Sequence, residues 1–79
     1  MAIMTDRKTR QDVFIRVCRD SKFTMDAVKA ATFAALVLDC HPLEIWLAMP
    51  DFNTMERIAD GSHPGNGIVR AGILATVVY

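Results

Sequence analysis

Thr24-Met25-Asp26-Ala27-Val28-Lys29-Ala30-Ala31-Thr32-Phe33-Ala34-Ala35-Leu36-Val37-Leu38 is the stretch on which the reading of this chain turns. Alanine and leucine are strong helix formers, and no Gly or Pro interrupts the run. From Ala30 onward it is apolar nearly all round, the pattern of a helix that is buried rather than laid on a surface. Its alanines keep the surface small, so another helix can approach closely. The segment is therefore expected to be the central, most buried helix of an all-α fold. Thr24 is expected to cap it, with Asp26 adding negative charge in the first turn. Phe23 before that cap is positioned to pack on Val28 as a hydrophobic staple.

Working outward, Thr5 or Asp6 can cap a first helix running to about Asp20. Val13, Phe14, Val17 and Cys18 form its apolar stripe, with Arg16 and Arg19 on the opposite side. Asp12 stands four residues before Arg16, the spacing of a surface ion pair. Beyond the central helix, Asp39-Cys40-His41 breaks the pattern and Pro42 suits the first position of a short third helix. Leu43, Trp46 and Leu47 share one of its faces, Ile45 and Met49 widen the apolar arc, and Pro50 stops it. Asn53 followed by Glu56 has capping-box spacing for a fourth short helix ending at Gly61. Residues 68–79 fit two readings. As a helix, Ala71, Gly72 and Ala75 form a small-residue patch; as an inter-subunit strand, Val69, Ala71, Ile73, Ala75, Val77 and Tyr79 share a face. The expected architecture is one small helical domain spanning residues 1–79, a bundle of four to five short helices around the Ala-rich one.

Size and composition bound the function. A chain of 79 residues buries only about 60–65% of the surface its unfolded form exposes. Yet its apolar fraction is about 56% when glycine is counted and tyrosine is not, against about 45–50% in ordinary domains. Surplus apolar surface in so small a core points to self-association, as a homodimer or higher oligomer, or to a protein partner. Net charge is zero, so the whole-protein field does not draw in nucleic acid. The charge is nonetheless polarised: residues 1–29 carry seven basic groups against four acidic, and residues 30–79 two basic against five. Two cysteines without a signal-peptide pattern read as reduced thiols in a cytoplasmic protein. No apolar run reaches the roughly 20 residues that span a bilayer.

Three chemistries find little support in the residues. Ala35, Asp39 and Ile45 have the spacing of a helix-turn-helix. The helix that would read bases, however, is Pro-Leu-Glu-Ile-Trp-Leu-Ala-Met, without Arg, Lys, Asn or Gln for base edges or phosphate. Indeed, no Lys or Arg occurs between Lys29 and Arg57. Cys18, Cys40, His41 and His63 lack the paired short spacings of a structural zinc site. Asp39, Cys40 and His41 are contiguous, whereas catalytic groups converge from separate segments. Neither a cofactor nor an enzymatic activity is expected. What remains is a non-catalytic interaction module, acting as a small inhibitor, adaptor or assembly factor. Short chains of this kind are common among phage and mobile-element proteins. The expected contact residues are Leu43, Trp46, Leu47, Met49 and Phe52, with Arg16 and Arg19 providing electrostatic steering. A small helix-turn-helix-like DNA-binding regulator is the alternative.

Overall fold

The computed structural model describes residues 6–63, and over these the protein is all-helical, with no strand. Four helices follow in order: α1 (Arg7–Asp20), α2 (Ala27–Leu38), α3 (Pro42–Ala48) and α4 (Phe52–Asp60). The helix-or-strand question for residues 68–79 lies outside the described residues.

Each helix starts on a side chain that accepts a hydrogen bond from a free backbone N–H. Asp6 caps α1, accepting from the Thr9 amide at 2.7 Å. Hydrogen bonding to Thr9 holds the Asp6 carboxyl below its usual range. Asp26, not Thr24, caps α2 by accepting from the Lys29 amide at 2.8 Å. Thr24 is instead used in the preceding turn, where its hydroxyl donates to the Ser21 carbonyl at 2.6 Å. Lys22 and Phe23 there take left-handed backbone angles, φ 57° and 61°. Phe23 packs against the core, while Val28 is 52% exposed. At α4 the cap is Asp51 rather than Asn53; it accepts from the Thr54 amide at 2.7 Å. His41 Nδ1 caps α3 through the Leu43 amide at 3.0 Å, and Pro42 takes the first helical position.

The helix ends are equally local. Asp39 follows α2 in the left-handed region, φ 53°, and the Cys40 amide reaches back to the Ala35 carbonyl. Gly61 does the same after α4, φ 83°, with the Ser62 amide donating to the Arg57 carbonyl. Both are Schellman-type stops, and Gly61 meets the positive φ without steric cost.

α1 and α2 each pack on the other three helices, and α3 and α4 pack on that pair more than on each other. The core is small: Phe14 and Cys18 from α1, the five alanines and Leu38 of α2, Ile45 and Met49 near α3, and Met55, Ile58 and Ala59 of α4. α1 also holds α3 through polar contacts. Arg7 Nε and Gln11 Nε2 both donate to the Ala48 carbonyl, at 2.9 and 2.7 Å, satisfying an acceptor at the helix end. Arg10 reaches Glu44 at 3.5 Å. The surface pair expected between Asp12 and Arg16 forms instead between Lys8 and Asp12, at 3.1 Å.

One expectation fails in an informative way. α2 is not buried all round. Ala27, Ala30, Ala31, Ala34, Ala35 and Leu38 face inward, while Val28, Phe33, Leu36 and Val37 face out. Phe14, Ile45 and Met55 already fill the centre, so only a face of small side chains can close on them at interior packing density. Ala34→Leu is expected to overpack this contact and lower stability by about 1–3 kcal/mol. Urea unfolding followed by circular dichroism checks this; an unchanged midpoint would mean that the alanine face is loosely packed.

Candidate protein-interaction surface

The outward side of α2 follows from helical phase. Alanines repeating every three to four residues occupy one face, so the residues between them must occupy the other. Val28, Thr32 and Leu36 form one outer row, and Phe33 and Val37 form a second beside it. Lys29 is the one charged side chain within this surface of α2. Leu36 is 71% exposed and Val37 68%. Side chains of this kind are worth about 1.5–3 kcal/mol each when fully covered.

α3 also exposes large apolar side chains. Leu43 and Leu47 lie one turn apart and are both exposed, Leu47 to 68%. Glu44 between them is half-buried and paired with Arg10. Trp46 is half-buried against the core, with its ring stacked on Phe52 at a centroid distance of 5.0 Å and an interplanar angle of 11°. That stack links α3 to the start of α4 and places Phe52, 42% exposed, at the edge of an open groove of about 580 Å³. The groove runs between α2 and α4 and is lined by Val28, Lys29, Thr32, Phe52 and Glu56, among others.

The structure thus brings Leu43, Leu47 and Phe52 to the surface with Trp46 beneath their edge. Met49 does not belong with them: it is only 6% exposed and lies in the core, because the chain leaves α3 there in an extended conformation and turns it inward. Val28, Phe33, Leu36 and Val37 belong to this surface although an all-apolar helix predicts cover on every side. The signal was present in the separation of small from large side chains around α2. Together seven large apolar residues are 42–71% exposed, four of them on α2.

Arg16 and Arg19 are exposed on α1, and Arg19 lies 3.8 Å from Asp20. α2 and α3 meet at 109° across the three-residue break at Asp39-Cys40-His41. That angle is within the helix-turn-helix range. The outer side of α3 nevertheless carries leucines in place of hydrogen-bond donors. No single described helix is long and apolar enough to cross a membrane.

Among the described residues no three potential metal ligands converge. Cys18 is fully buried in the core, and desolvation raises its thiol to about 12. Cys40 is partly exposed at the α2–α3 corner. His41 Nδ1 is committed to the Leu43 amide. Compared with protein-family models, curated proteins and solved structures, the chain matches none.

The two thiols should separate cleanly by reactivity. At pH 8 a thiol reagent is expected to modify Cys40 in the native protein and Cys18 only after unfolding, because the thiolate is the reactive form. Equal native rates, read by mass spectrometry of the labelled peptides, would contradict the packing around Cys18.

Proposed function

We propose that this protein is a non-catalytic protein–protein interaction module that self-associates, and that it acts as a small inhibitor, adaptor or assembly factor. One observation carries the reading: large apolar side chains of α2 and α3 face outward while alanines fill the interior. A domain this small gains most from burying every large apolar group it has. A surface that holds several outside is suited to being covered by another protein. The stacked Trp46 and Phe52 rings form a rigid base beside Leu43 and Leu47, and aromatic anchors are typical of binding hot spots. Arg16 and Arg19, exposed on α1, are suited to steering an acidic partner.

A second reading, a helix-turn-helix-like DNA-binding regulator, draws support from the 109° corner and its left-handed Asp39. The chemistry of α3 opposes it, since Leu43 and Leu47 offer neither base-edge donors nor phosphate neutralisation.

Light scattering over a concentration series tests the first reading. The mass is expected to rise from monomer towards dimer or beyond, with only modest dependence on salt. Leu47→Asp, at a position 68% exposed, should weaken association without loss of helicity; a strict monomer at every concentration would refute self-association. For the second reading, a gel shift with non-specific DNA at low salt is expected to be absent. A shift abolished by Arg16→Ala with Arg19→Ala and falling steeply with salt would favour the regulator instead.

A further inference from the structure

We infer that α2 forms the interface with a second copy of this chain, packing antiparallel on its counterpart about a two-fold axis near the middle of the helix. The inference rests on the self-association proposed above and specifies its geometry.

A two-fold interface requires the same patch on both subunits to be self-complementary. The outer side of α2 has that property along its length. Its N-terminal half borders the groove, whose walls include Val28, Thr32 and Phe52. Its C-terminal half carries the most protruding side chains, Leu36 and Val37, beside Phe33. Parallel packing would set groove on groove and ridge on ridge. Antiparallel packing sets the ridge of each copy into the groove of the other, twice over. It also opposes the two helix dipoles, so that each helix end meets one of opposite sign.

The charges follow the same symmetry. Lys29 lies in the first turn of α2, at the groove, and Asp39 caps its far end in an exposed position. Neither has an ion-pair partner among the described residues. In an antiparallel pair, Lys29 of each copy approaches Asp39 of the partner subunit and the carbonyl end of that subunit's α2. The acids on the groove's own side are Asp26 and Glu56; Asp26 is committed to the Lys29 amide as the helix cap. The outward face of α2 is also well exposed along its length, with Val28 at 52%, Phe33 at 46%, Leu36 at 71% and Val37 at 68%. Nucleic acid and strongly acidic partners do not fit this face, where Lys29 is the only cation on α2.

Sedimentation velocity across a concentration series, with circular dichroism of every variant, tests the geometry. The wild-type chain should reach a dimer. Leu36→Glu should leave a folded monomer over the same range. Lys29→Glu and Asp39→Lys should each raise the dimer Kd about tenfold, and the two together should return it to within about threefold of wild type. Thr32→Cys in a Cys40→Ser background places a thiol at the midpoint of α2, and mild oxidation should yield a disulfide-linked dimer. A wild-type dimer indifferent to Leu36→Glu and to both charge reversals would overturn the α2 interface while leaving self-association standing. A wild-type monomer at every concentration would overturn both, and is the outcome expected if another segment of the chain covers this face.

Discussion

The close approach of α1 and α2 across a face of alanines is the constraint on which the rest of the fold depends. Helix axes separated by 8–10 Å leave room for only one set of large side chains between them. Phe14 of α1, with Ile45 and Met55 from the other helices, occupies that space. The facing side of α2 is therefore alanine. Because a helix has a fixed period, an inward alanine face commits Val28, Phe33, Leu36 and Val37 to the outside. Interior packing and exposed surface are thus two consequences of one choice of phase.

The remaining helices are placed by what that pair leaves available. α3 is short, and a helix of its length has little stability alone. It is held by His41 and Pro42 at its start and by Arg7 and Gln11 on the Ala48 carbonyl at its end, with Ile45 and Ala48 turned into the core. These contacts use the inward side and leave Leu43 and Leu47 outward. α4 starts at Asp51 and carries Phe52 at its first position, which brings the Phe52 ring onto Trp46. The groove beside α2 exists because α4 packs on α1 and α2 rather than closing against the outer rows.

Where reading the chain and its structure part, the differences trace to competition between similar local signals. Thr24 and Asp26 are both good helix caps, and so, at the next boundary, are Asp51 and Asn53. Which one serves depends on where the backbone enters the helix. At α2 the left-handed residues Lys22 and Phe23 draw Thr24 into the turn, leaving Asp26 as the cap. Met49 was grouped with Trp46 and Leu47 by helical spacing, but the helix ends before it, and helical phase no longer says where its side chain goes. Gly61 and Pro42 were legible because each meets a requirement that few other residues meet in that position.

From the sequence alone came the helical class, the breaks after about Asp20, at residues 39–41 and at Pro50, and the expectation of surplus apolar surface. These are local properties, set by propensity, capping chemistry and composition. Only the tertiary structure decided which side of α2 is the inside. Hydropathy favours burying Phe33 and Leu36 over alanine, and it was overruled by volume: the centre was already filled by side chains from the other helices. That is a contest among distant residues, and no window along one helix contains it.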